Sequence, residues 1–80
     1  MRLIRKGCVQ AEFFGGKVAS VEAGTPIRVA RFYADSPEGS KGIVHGWRYT
    51  YKGVRIVVDY GLNAGGQRML KPYPANVLSP

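Results

Sequence analysis

The chain is poor in the residues that usually carry chemistry. Of its 80 residues, one is Cys (Cys8), one is His (His45) and five are acidic. A single Cys cannot form an internal disulfide, so a reducing cytoplasm is the expected location. One His and one Cys fall short of an ordinary metal donor set, and Glu12, Glu22, Asp35, Glu38 and Asp59 stand singly along the chain. No two groups are spaced for acid–base work, so no catalytic residue, metal or cofactor is expected. Long apolar runs are missing as well, which argues against a membrane span. In the opening "MRLIRKGC", Arg5 and Lys6 stand where a lipoprotein leader would be apolar, so it reads as part of the soluble chain. No segment is long enough for a crossover helix, which excludes a parallel sheet.

Turn formers and positive charge are plentiful. Eleven Gly and five Pro divide the chain into short pieces. Strand-like runs recur every 8–12 residues with turn signals between them, the pattern of a small all-β barrel or sandwich in one domain. So short a chain has a modest core, and oligomerisation is a natural remedy. Strand character is read at 2–5, 8–14, 27–34, 43–51, 54–60 and 67–71. Gly15-Gly16 reads as a turn into an irregular strand over 17–23, with a short helix there as the alternative. "DSPEGSKG" (35–42) lacks apolar residues and reads as a mobile loop. Pro72 and Pro74 bar "PYPANVL" from a central strand, and a single helical turn is expected after Pro74.

The best-defined unit is "GIVHGWRYTYKGVRIVVDYG" (42–61), a hairpin. With Lys52-Gly53 as its turn, Tyr51 faces Val54, Tyr49 faces Ile56, Trp47 faces Val58 and His45 faces Tyr60. That side is expected to be core, with some phenol edges at a rim. The other side then carries Val44, Arg48 and Thr50 against Arg55, Val57 and Asp59, with Arg48 near enough to Asp59 for an ion pair. His45 and Cys8 are expected to be structural, Cys8 as a small buried hydrophobe.

Two resemblances follow from these stretches. "GIVHGWRY", the hairpin, a short strand and "YPANVL" resemble the Src-homology-3-like barrel across residues 24–80, with Pro74-Ala75-Asn76 as that fold's single helical turn. The resemblance implies a five-stranded barrel, with residues 1–23 as extra strands or an arm. The acidic loop and the opening motif of its proline-rich-peptide binders are not matched. "GTPIRV", "GIVHGW" and "YPANVL" also resemble, in order, stretches of the plasmid-borne type II dihydrofolate reductases, which are tetrameric pore enzymes. That family's Val-Gln-Ile-Tyr pore run meets "LKPY" here, where only Tyr73 corresponds, and its cofactor-binding Lys falls near Val29.

Twelve Lys and Arg give a net charge of +7 and a pI near 10.0, which points to an anionic partner. Arg28, Arg31, Lys41, Arg48, Lys52 and Arg55 are the candidate phosphate contacts, on strands expected to share an outer surface. Tyr33, Tyr49 and Tyr51 are candidates to stack on bases. The expected function is therefore non-enzymatic binding of nucleic acid. The alternatives are a module docking on an acidic protein, such as an accessory protein of a mobile element, and a reductase-like oligomeric pore enzyme.

Overall fold

A computed structural model describes residues 4–80. Within them the chain is all-β, with only short 3-10 turns for helix. Seven strands follow in order: β1 (Val9–Glu12), β2 (Val18–Val21), β3 (Pro26–Val29), β4 (Lys41–Thr50), β5 (Gly53–Leu62), β6 (Arg68–Pro74) and β7 (Leu78–Ser79). β1 and β2 make a two-stranded antiparallel sheet, joined by a 3-10 turn at Phe14–Gly16. The other five form a sheet in the order β6-β5-β4-β3-β7, antiparallel throughout. Among the described residues no strand ladder joins β6 to β7, so the sheet has two edges. Pro72 and Pro74 lie on an edge strand, the place for residues with no N–H to donate. The expected helical turn is there at Ala75–Val77, and it delivers β7 back onto β3.

One cluster forms the core. Val9, Phe13 and Val21 of the first hairpin pack with Ile27, Val29, Val44, Trp47, Ile56, Val58, Tyr73, Val77 and Leu78. The strand expected at 2–5 lies partly outside the described residues. Of it, Arg5 pairs with Trp47, its N–H and C=O bonding the Trp47 backbone at 2.7 and 2.8 Å. Trp47 is buried, its Nε1 donates to the Gly7 carbonyl at 2.8 Å, and the Arg5 guanidinium lies 5.7 Å from its ring centre.

The β4–β5 register differs from the expected one. The turn is Tyr51-Lys52, so Tyr49 faces Val54, Trp47 faces Ile56 and Arg48 faces Arg55. Thr50 sets this turn: its Oγ1 accepts from Lys52 N–H and donates to the Gly53 carbonyl. Gly53 supplies the positive φ (106°) that fits such a turn to the strand twist. The offset amounts to two residues, so each side chain keeps its expected face as far as Gly46. There His45 forms a β-bulge, because Val44 pairs with Val58 but Gly46 pairs with Val57. The extra residue turns Val44 inward beside Trp47, not outward with Arg48 as expected. It also removes His45 from its place opposite Tyr60. Lys6 Nζ donates to the His45 carbonyl at 2.8 Å.

Other expectations change for local reasons. β3 stops at Val29, because Ala30 N–H bonds the Val77 carbonyl and the chain then enters a tight turn. The 35–42 segment is hydrogen-bonded to its neighbours. Gly39 N–H bonds Val29, Val29 N–H bonds Ser40, and Lys41-Gly42 already belong to β4. Cys8 is exposed, since the alternation of β1 begins one residue later. β2 is a regular strand, not a helix. β6 runs through Pro74, beyond the expected end at 71.

Tyr73 is 1% exposed. Its hydroxyl bonds Ser36 Oγ at 2.5 Å and Tyr60 OH at 2.7 Å, a polar network under the sheet. Burial first, and the Tyr73 hydroxyl second, push the Tyr60 phenol well above its ordinary value of 10.0. The folded state then keeps a proton that the unfolded chain releases. Stability is intact below pH 10 and falls as pH rises past it. Chemical denaturation as a function of pH should show this decline, and Tyr60→Phe should flatten it while losing about 1 kcal/mol at neutral pH.

Gly46 is required by close approach. A Cβ there would lie 2.5 Å from the Arg5 carbonyl oxygen and 2.6 Å from Ile4 Cγ2. Gly46→Ala should therefore destabilise the fold by about 1–3 kcal/mol in denaturant titration. An unchanged midpoint would mean that the Ile4–Arg5 segment does not pack there.

Candidate nucleic-acid interface

Arg48 and Arg55 are paired directly across β4 and β5, so their side chains leave the same face of the sheet. Among the described residues neither makes an ion pair. The ion pair found there joins Arg68 Nη1 to Asp59 Oδ2 at 2.7 Å. The expected Arg48–Asp59 contact is absent because the register places Asp59 between Ile43 and Leu70. Asp59 is engaged there, accepting from Gly61 N–H at 2.7 Å. That bond and the Arg68 guanidinium hold its carboxyl below the usual range against the opposing effect of desolvation. Arg48 Nε is buried with no hydrogen-bond partner among the described residues.

These two arginines sit in a cleft of about 170 Å³ lined also by Tyr33, Thr50, Tyr51, Lys52 and Pro72. Several parts of the chain contribute. β4 brings Arg48 and Thr50, and the hairpin turn brings Tyr51 and Lys52. β5 brings Arg55, and Pro72 comes from edge strand β6. Tyr33 comes from the turn Tyr33–Ser36, closed by two backbone hydrogen bonds of 3.1 and 2.8 Å. Its central residues, Ala34 and Asp35, have φ of 48° and 66°, a left-handed conformation that costs Ala on the order of 1 kcal/mol. What holds the turn is Ser36, buried and bonded to Tyr73, while the Tyr33 ring packs on the Tyr73 ring at 5.9 Å. Tyr33 is thus fixed from beneath, whereas Tyr51 projects from the hairpin tip at 90% exposed, with Lys52 Nζ 5.6 Å from its ring centre.

Of the residues chosen from sequence, Arg48, Lys52, Arg55, Tyr33 and Tyr51 therefore meet in one place. Arg28 and Lys41 do not join them. They face each other across β3 and β4 and line a separate, mostly apolar cavity of about 210 Å³ with Ile27 and Pro80. Arg31 is exposed and lines neither. Tyr49 lies on the reverse side of β4, packed edge-on against Trp47 at 5.3 Å. Thr50 and Pro72 are members that sequence reasoning missed. Thr50 sits between two tyrosines and was read only as a strand residue, and Pro72 was placed outside any strand. Lys52 and Arg55 also border a shallow groove that includes Glu12 and Asn76.

What this arrangement can do is hold an anion. Like charges directly opposed on a sheet destabilise it, and a bound anion removes the repulsion. Replacing one of them should show both effects. Arg55→Thr is expected to raise stability by about 0.2–1 kcal/mol at low ionic strength, less in salt. It should also reduce the stabilisation that added phosphate gives the unaltered protein. Thermal unfolding with and without phosphate measures both.

Among the described residues no group of three or more His, Cys, Asp or Glu side chains converges as a metal site would require. Nor is any helix among them long and apolar enough to cross a membrane. No family model matches the chain, and no curated protein or solved structure matches it.

Proposed function

We propose that the protein binds nucleic acid through the cleft between the β4–β5 hairpin and the Tyr33–Ser36 turn. The observation that carries this reading is the opposed pair Arg48–Arg55, without a carboxylate partner among the described residues, set beside two tyrosines. Phosphates neutralise such a pair, and aromatic rings beside it suit bases. The net charge of +7 adds a long-range attraction that brings a polyanion to the surface.

The fold that presents the cleft is, in this reading, a Src-homology-3-like barrel. The strand order β6-β5-β4-β3-β7 and the helical turn that returns β7 to β3 support it. The unpaired, exposed Cys8 suits a reducing compartment such as the cytoplasm.

In a mobility-shift assay the protein should retard labelled nucleic acid, with affinity falling steeply as salt rises. The double variant Arg48→Glu, Arg55→Glu should abolish the shift, and Arg28→Glu with Lys41→Glu should weaken it only modestly. Absence of any shift at low salt with DNA or RNA would overturn the reading. Capture of a specific protein that survives nuclease treatment would favour an acidic protein partner instead.

A further inference from the structure

We propose that this cleft selects single-stranded over duplex nucleic acid, with one base stacked against Tyr33 and Tyr51 and the adjoining phosphate shared by Arg48 and Arg55. The inference rests on the nucleic-acid reading above and adds the form of the ligand and the role of each side chain.

The cleft is an open depression of about 170 Å³, with tyrosine rings in its wall against which a base face can lie. A base inside a duplex is stacked on both sides and paired at its edge, so it cannot enter without being extruded. An unpaired strand offers free base faces.

The lining is divided between two kinds of side chain. The aromatic residues come from the Tyr33–Ser36 turn and the hairpin tip, and the arginine pair from strands β4 and β5. Ring and phosphate are therefore met by different side chains of one cleft. Tyr33 is set in advance: its ring is backed by Tyr73 and its turn is anchored through Ser36. A platform ordered before binding loses little side-chain entropy when a base arrives. Tyr51 is free to close over the base from the tip. Arg48 and Arg55, paired across the two strands, bring their guanidinium groups to the same cleft.

A major groove is entered by a helix or a projecting β-ribbon. The described residues contain no α-helix, and their long β4–β5 hairpin is held along β5 by β6. A duplex could contact the basic surface, but only through its phosphates.

Fluorescence anisotropy with a short labelled single strand, and with the same strand annealed to its complement, tests this on the whole protein. The single strand should bind at least tenfold more tightly. Tyr51→Ala should weaken single-strand binding by about five- to hundredfold and leave duplex binding unchanged. Tyr49→Ala, on the reverse face, should change neither. Replacing both arginines with Gln should lower the salt slope for single strands by about 0.7 for each phosphate that is no longer neutralised. Tyr49 and Tyr51 are largely exposed, so their variants should stay folded. Equal affinity for the two forms, or equal losses from Tyr49→Ala and Tyr51→Ala, would overturn the single-strand assignment while leaving nucleic-acid binding in place. Failure to bind either form would overturn both.

Discussion

The structure depends on how β4 is shared. Along one edge it pairs with β5 for nearly its whole length. Its other edge is divided, with β3 on its first residues and the Arg5 segment on Trp47. One strand thus joins the sheet, the N-terminal segment and the core tryptophan. The bulge at His45 makes this sharing compatible with packing. It lets Val44 and Trp47, three positions apart, both turn inward, which strict alternation forbids. Gly42 and Gly46 on either side of it leave the space that Val58, Tyr60, Ile4 and Arg5 occupy. The Gly and Trp residues of "GIVHGW" are thereby explained by packing alone.

The same ladder creates the cleft. Pairing Thr50 with Gly53 brings Arg48 and Arg55 face to face. The two arginines so paired have no carboxylate partner among the described residues, and Ala34 has a positive φ in the turn that carries Tyr33. Both features are locally unfavourable, and both lie at the same cleft. The Ser36–Tyr73–Tyr60 network connects that cleft to the core, so the polar groups under the sheet fix the position of Tyr33.

Much of the architecture was legible beforehand. Gly, Pro and short β-branched runs marked nearly every strand and turn, but the two prolines were read as lying beyond a strand that ends at 71, whereas β6 runs through them as an edge strand. Between Gly46 and the turn the faces of the main hairpin were right even though the turn was misplaced, whereas Val44 lies on the opposite face from the one expected. Lys52-Gly53 and Tyr51-Lys52 differ by two residues in pairing, and a shift of two preserves the side on which each residue lies. The pairs themselves were not legible. Asp59 was assigned to Arg48, yet it bonds Arg68 on a strand that the hairpin does not contain. The bulge was not read either, because His45 was placed opposite Tyr60 in an unbroken alternation. Five candidate site residues share one cleft. Arg28, Lys41, Arg31 and Tyr49 lie elsewhere, because a list of basic and aromatic positions carries no information on which strands become neighbours.

The sequence by itself determined a single basic all-β domain, with an aromatic hairpin and an excess of positive charge. Those properties follow from composition and local periodicity, which each segment carries alone. Only the tertiary structure decided that Arg48 opposes Arg55, that Tyr33 joins them from a distant turn, and that Tyr73 is buried as the support of that turn. Those are relations between segments, set by strand register and by which side chains fit together in one small core.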